Sequence, residues 1–215
     1  MTDKKPDLSL DVWLTIPVKH LNDGKSRLDV ILSPTQRAAL AEFLLLRTLA
    51  VGRSVFPLER IVVVSSDERV EQLARAQGVS FVPDTSVNDL NDALALATRY
   101  IESRGATGQL VLPIDLPFLA AAEIREVLAS VPAHPACVVA PDRDCDGTNA
   151  LLLAPCDSSL FHFGTDSYER HVLACRDQGR RVQTVRCAGL AFDLDLPHHY
   201  LLFKERHGVS LPWEL

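Results

Sequence analysis

The sequence predicts one α/β domain built on a mostly parallel sheet with helices on both faces. Three observations carry that prediction. Apolar, strand-like runs alternate with capped helical stretches along the chain, the pattern that builds parallel sheets. The strand runs are apolar on both faces, as strands between two helix layers must be. No repeat or low-complexity linker divides the 215 residues, so residues 11–215 read as one domain behind a disordered lead over residues 1–10.

The elements follow in order. "DVWLTIPV" (11–18) is an apolar strand, followed by a polar loop. Ser33, Pro34 and Gln36 then supply a cap, a proline at the first helical position and a capping-box partner, so a helix runs to about Gly52. "RIVVVS" (60–65) is a β-branched strand. "DERVEQLARAQG" (67–78) is a helix capped by Asp67 and stopped by Gly78. "VSFV" is a short strand, and Asn88 or Asp89 opens a helix to about Arg104, with Leu90, Leu94 and Ala97 at helical spacing. "QLVLPI" (109–114) is a strand that ends at Asp115, and a helix follows near 121–130. "ACVVA" (136–140) and "NALLLA" (149–154) are strands. "TDSYERHVLACRDQG" (165–179) is a helix ending at Gly179. "RVQTVR" and "LAFDLDL" are strands, and "PHHYLLFKERHG" is a last helix from Pro197 to Gly208.

Composition excludes several function classes. The formal net charge is −6, so the chain as a whole does not attract nucleic acid or an anionic membrane. No apolar run approaches the roughly 18 to 20 residues of a membrane span. The start lacks the apolar core of a signal peptide. Five scattered cysteines form no CxxC, which argues against disulfides and structural zinc and for a reducing cytoplasm. The seven histidines, His171, His198 and His199 among them, form no HxxEH or HExxH pair and read as surface or helix-end residues. Ser54, Ser65 and Ser66 lie in no GxSxG elbow. The apolar helix 34–52 is open to two roles, core or contact between copies of the chain.

In such sheets ligands bind beyond the carboxyl ends of the strands, so the residues there are the candidates. "PVKHLNDGKSRL" carries Lys19, Lys25 and Arg27. Three cations in one loop suit a polyphosphate, and they also suit a solvated loop; no Walker A pattern is present. Asp115 is either a helix cap or a ligand for a hard cation such as Mg2+. Strand alternation places Asp193 and Asp195 on one face, where two like charges repel unless a cation lies between them; an edge hairpin is the alternative. Gly147, Thr148 and Asn149 follow a polar turn. Gly164, Thr165 and Ser167 stand at a helix start, where backbone N–H groups favour an anion, or where Thr165 or Asp166 caps the helix.

Seven pieces then line up in order: "IPVKHLNDGKSRLDVILSPTQRAAL", "VVVSSD", "DLNDAL", "VLPIDLPFL", "APDRDCDGTNALLL", "FGTDSYERHVLACRDQG" and "GLAFDLDLPHHY". Together they span about residues 11 to 205. The chain resembles the 2-phospho-L-lactate guanylyltransferases of deazaflavin coenzyme F-420 biosynthesis, with their relatives acting on phosphoenolpyruvate or 3-phospho-D-glycerate. The resemblance implies a Rossmann-like nucleotidyltransferase domain similar to molybdenum-cofactor nucleotidyltransferases and the GT-A fold. It implies that Lys19, Lys25 and Arg27 hold the GTP triphosphate and that Asn91 lies near the guanosine. It implies Mg2+ on Asp115, Asp193 and Asp195, and the phosphorylated acid on Thr148, Gly164 and Ser167. Its product would pass to a downstream deazaflavin transferase. Family members commonly carry Ala where Gly24 stands, and a glutamate and a glycine before the LN pair where this chain has Asp84 and Asp89.

Other readings stay open on the residues alone. One is a nucleotidyltransferase for another acceptor, molybdopterin or a sugar phosphate, although the GGxSxRMG-type loop is missing. Another is a catalytically silent nucleotide-binding domain. A GT-A glycosyltransferase would want a DxD motif after a central strand, and the only "DLD" lies near the C-terminus.

Overall fold

The computed structural model describes residues 10–84 and 89–207. Residues 1–9 of the lead expected over 1–10, together with Asn88 and Gly208, lie outside the described residues. Seven strands form one sheet: β1 Val12–Pro17, β2 Ile61–Ser65, β3 Ser80–Pro83, β4 Gly108–Val111, β5 Ala136–Pro141, β6 Thr148–Ala154 and β7 Arg181–Thr184, in the order β3-β2-β1-β4-β6-β5-β7. β6 runs antiparallel to both neighbours, and the other pairs are parallel. Six helices accompany them: α1 Pro34–Arg53, α2 Glu68–Ala76, α3 Leu90–Glu102, α4 Ala121–Ala129, α5 Ser167–Asp177 and α6 Pro197–His207.

Alternation along the strands builds both core layers. Val12, Leu14 and Ile16 of β1 turn to one face and pack with α1, α2 and α4. Trp13 turns to the other, where Ala93, Ala97 and Ile101 of α3 cover it. Cys175 of α5 packs on that second side against Cys137 and Val139 of β5. A smaller cluster joins Leu40 and Leu44 of α1 to Tyr200 and Phe203 of α6, with Leu28 and Leu194 between them. Helix α1 is therefore core on two sides. Its capping box forms as the sequence predicts, with Ser33 accepting from the Gln36 amide.

Polar groups fix the centre. Gln109 of β4 donates to Thr15 of β1 at 3.0 Å and accepts from Thr98 of α3 at 2.8 Å, all three buried. Satisfied buried groups of this kind set register, because a slipped pairing would leave them without partners. From β1 the chain moves outward to β2 and β3, then returns to β4 on the other side. That reversal is the switch point where doubly wound sheets bind ligands. Since β6 is antiparallel, its first residue, Thr148, lies at the same sheet end as the carboxyl ends of β1, β4 and β5. No helix among the described residues is long and apolar enough to cross a membrane.

Candidate active site

The cationic loop is tied down at both ends. Asp67, which caps α2 through the Arg69 amide at 2.7 Å, also accepts the Leu21 amide at 2.8 Å. At the other end Leu28 is fully buried beneath α6. Between them Lys25 takes a left-handed conformation, φ 57°. A lysine there is strained by about 1 kcal/mol or more, and such strain concentrates at functional sites. The turn sends its side chain inward, only 7% exposed, while Lys19 and Arg27 stay exposed. Lys25 Nζ lies 2.9 Å from Asp195 Oδ1 and 3.4 Å from Asp115 Oδ2. Burial alone would lower the Lys25 pKa; the two carboxylates more than offset it and hold the ammonium charged.

Two predicted strands change here. β4 stops at Val111, so Asp115 sits in a loop beyond it. Leu112 N still donates to Thr15 O, but Pro113 has no N–H to continue the ladder. Residues 190–196 form no strand either. Leu190, Phe192 and Leu194 are buried and the residues between them less so, which is the predicted alternation without a ladder. The facing segment carries Pro113 and Pro117, so it offers few amide donors. One bond does form: Leu194 N donates to Asp115 O at 2.8 Å, and it sets Asp193 and Asp195 beside Asp115. Asn149 Nδ2 holds Leu190 O at 2.8 Å, and Glu123 accepts the Gly189 amide at 2.6 Å. A Cβ on residue 189 would stand 2.5 Å from Phe118 O, so only glycine fits.

The carboxylates fit a divalent cation. Asp115 Oδ1 is buried without a hydrogen-bond partner among the described residues. Burial, then the charges of Asp115 and Asp195, push Asp193 up to about 6. Asp195 goes the other way: burial would raise it, but Lys25 and Arg27 hold it below the usual carboxylate range. Lys25 thus pairs with Asp115 and Asp195, and Asp193 stands beside them as a third acid that repels both. Among the described residues no group of three or more His, Cys, Asp and Glu closes into a metal cage. The arrangement suits Mg2+, which takes one or two carboxylates and completes its shell with phosphate oxygens and water.

On the facing side the buried hydroxyls are neutral, and the carboxylates around them hold backbone amides. Asp142 accepts the amides of Asp146 and Gly147 at 3.0 and 2.8 Å and so closes the turn before β6. The start of α5 takes one of the two predicted caps, without its side-chain bond. Asp166 is the N-cap, at φ 55°, and caps with no side-chain bond. Asp146 serves the helix end instead, its Oδ1 taking the Asp166 amide and its carbonyl the Tyr168 amide. Gly164 sits at φ 132°, open only to glycine. Ser167 Oγ donates to Thr148 Oγ1 at 3.2 Å, and both residues are buried. Asn91 grips the backbone of Phe163 on both sides: Oδ1 accepts its N–H at 2.8 Å, and Nδ2 donates to its C=O at 3.3 Å.

The predicted residues therefore gather into two groups. Lys25, Asp115, Asp193 and Asp195 meet on one side, with Lys19 and Arg27 on the loop that carries Lys25. Thr148 and Ser167 meet on the other, and Asn91 reaches that side through Phe163. His171 corrects the sequence reading. It is fully buried rather than a surface residue, with Nδ1 2.9 Å from Thr148 Oγ1. Burial, then His162 and Arg170, lower its pKa to about 3. Its place four residues after Ser167, one helical turn on, was a usable signal. A cavity of about 290 Å³ borders the turn before β6 and is lined in part by Asp142, Arg143 and Arg186. A larger one, about 530 Å³ along α1, holds none of these residues.

Comparisons agree on a family. A model described as "Guanylyl transferase CofC like" matches residues 12–201. A phosphoenolpyruvate guanylyltransferase of Rubrobacter xylanophilus is 36% identical over 94% of this chain and 97% of its own. A 3-phospho-D-glycerate guanylyltransferase of Colwellia psychrerythraea is 31% identical over 86% and 87%. Among solved structures, a cytidylyltransferase of Leptospira borgpetersenii superposes with a TM-score of 0.63 at 13% identity, covering 96% of this chain and 90% of its own. A CMP:2-keto-3-deoxy-manno-octonic acid synthetase complexed with CTP gives 0.60 at 14% identity, over 91% and 99%. The last two show the shared nucleotidyltransferase fold.

Proposed function

The chain belongs to the CofC-like guanylyl transferase family, and on that premise we propose that it transfers GMP from GTP to a small phosphorylated carboxylic acid, releasing pyrophosphate. Phosphoenolpyruvate is the first acceptor to test and 3-phospho-D-glycerate the second, because the relatives quoted above carry those names. 2-Phospho-L-lactate completes the set. The observation that carries the reading is Lys25 Nζ between Asp195 and Asp115, with Asp115 Oδ1 buried and without a hydrogen-bond partner among the described residues.

The chemistry asks little covalent work of the protein. A phosphate oxygen of the acceptor forms a bond to the α-phosphorus of GTP, and the bond to the bridging oxygen of pyrophosphate breaks in line. The acceptor phosphate is already anionic at neutral pH, with a second pKa of about 6, so no general base is needed. The difficulty is bringing two polyanions together. Lys19 and Arg27, exposed on the loop after β1, neutralise and orient the triphosphate, Arg27 with two parallel hydrogen bonds. Lys25 keeps the acidic residues paired and adds a fixed charge. Asp115 and Asp193 would hold Mg2+, with Asp195 shared with Lys25. Bound there, the ion supplies positive charge to the phosphate oxygens. Thr148, Gly164 and Ser167 shape the acceptor side. Asn91, assigned to the guanosine by the resemblance, has its amide bonded to protein and holds Phe163 on the acceptor side. The product, a guanosine diphosphate-linked acid, would pass to a downstream deazaflavin transferase in the cytoplasm.

An acceptor screen tests this. Purified protein, Mg2+, each of the four nucleoside triphosphates and each of the three acids are combined with the downstream transferase as a trap. Pyrophosphate release and product masses are read. Turnover with GTP and one acid is expected. Turnover only with another nucleotide, or none while GTP still binds, contradicts the proposal.

A further inference from the structure

His171 has no part in the reaction as set out above, yet it is fully buried against two residues of the acceptor side. Its two ring nitrogens have different partners. Nε2 accepts the His162 amide at 2.9 Å. A nitrogen that accepts carries no proton, so the neutral ring has its proton on Nδ1. Burial, then the neighbouring His162 and Arg170, disfavour a second proton. Nδ1–H therefore donates to Thr148 Oγ1, 2.9 Å away, and shares that proton with the Ser167 carbonyl one helical turn back. Ser167 Oγ donates to the same oxygen at 3.2 Å. Both lone pairs of the Thr148 hydroxyl are then occupied, and its O–H has no acceptor among the described residues.

The geometry points to His171 as a positioning residue: its Nδ1–H, together with Ser167, pins the Thr148 oxygen so that the Thr148 O–H is the donor presented to the anionic acceptor. This rests on the acceptor site proposed above. It assigns different roles within that site. Thr148 touches the acceptor, while Ser167 and His171 act through Thr148. The His162 amide fixes the tautomer, and Phe163 beside it is held by Asn91, so α3, the segment 162–163 and α5 orient one hydroxyl together. Phe163 also packs edge-on against the His171 ring, centroids 4.7 Å apart, which keeps the ring from rotating.

The test has two parts. A long-range 1H–15N spectrum of the wild-type protein reads the tautomer whether or not turnover is seen; a protonated Nδ1 and an unprotonated Nε2 are expected, and the reverse assignment overturns the proposal. Kinetics then compare His171→Leu, His171→Asn and Thr148→Val. The loss of one hydrogen bond predicts an acceptor KM raised about tenfold in His171→Leu, with the GTP KM within about twofold. His171→Asn, whose amide stands near the place of Nδ1–H, restores most of the loss. In a Thr148→Val background His171→Leu adds no further increase. Equal rises in both KM values, no rescue by Asn, or additive losses with Thr148→Val would overturn the inference while leaving the guanylyltransferase reading intact. A wild-type protein that turns over no phosphorylated acid would instead remove that reading and this one with it.

Discussion

The two groups of candidate residues are built by opposite means. On the side of β1 and β4, Lys25 meets Asp115 and Asp195 at 3.4 and 2.9 Å, and charge is balanced against charge. On the side of β6 and α5, Thr148, Ser167 and His171 are buried, neutral and bonded to one another. The first is built of side chains hung on loops and anchored by apolar residues such as Leu28 and Leu194. The second is built of side chains on a strand and a helix. Charged groups on loops can turn toward one another, so each offsets the burial cost of its partner. Neutral donors need regular elements, because a hydrogen bond weakens steeply when its angle is lost.

The charged side gives the largest expected effect. Asp115→Asn keeps shape and removes charge; turnover falls roughly a thousandfold, about 4 kcal/mol of lost electrostatic stabilisation, while thermal unfolding shows the fold intact. Wild-type kcat at saturating Mg2+ would show the two sides do not differ as described. Lys25→Met comes next. It leaves Asp115 and Asp195 without their cation and costs about 3 kcal/mol in urea unfolding. Asp193→Asn acts in the opposite sense on stability. Its carboxyl is held up at about 6 by burial, Asp115 and Asp195, so removing the charge stabilises the metal-free protein by about 1 kcal/mol after allowance for the solvent it still sees. Turnover falls nonetheless. A stability loss in Asp193→Asn would contradict the picture of a third acid crowded against the Lys25-paired Asp115 and Asp195.

The neutral side answers to acid rather than to metal. His171 has a folded pKa of about 3, below its ordinary 6.5, so the unfolded chain takes up the proton first. The stability it contributes is fully present above about pH 6.5 and is lost as pH falls toward 3. By pH 5 the loss is roughly 1–2 kcal/mol. Urea unfolding at pH 7.5 and 5 measures it, and in His171→Asn this component disappears. An unchanged pH dependence in that variant would show that His171 is not the group responsible.

The sequence made the charged side readable because acids and lysines in loops after strands announce themselves by type. Its geometry was less readable. "LAFDLDL" has the alternation of a strand, yet Leu190 and Leu194 join helix-covered clusters and the segment enters no ladder. Asp193 and Asp195 still share a side, because alternation survives in an extended chain without a partner. The helices were legible almost to the residue where caps were visible, as at Ser33, Asp67 and Asp89. The start of α5 was not, since its capping group is Asp146, distant in sequence. His171 was missed for a related reason. A histidine without ligand spacing looks like surface, and only the fold of β6 against α5 brings Thr148 to it.

The direct test of the division is a comparison of KM values in Lys19→Ala and Ser167→Ala with GTP and the accepted acid. Lys19→Ala is expected to raise the GTP KM severalfold and Ser167→Ala the acceptor KM by about as much, each leaving the other constant within about twofold, as for single lost polar contacts. Parallel rises of both constants in both variants would contradict it.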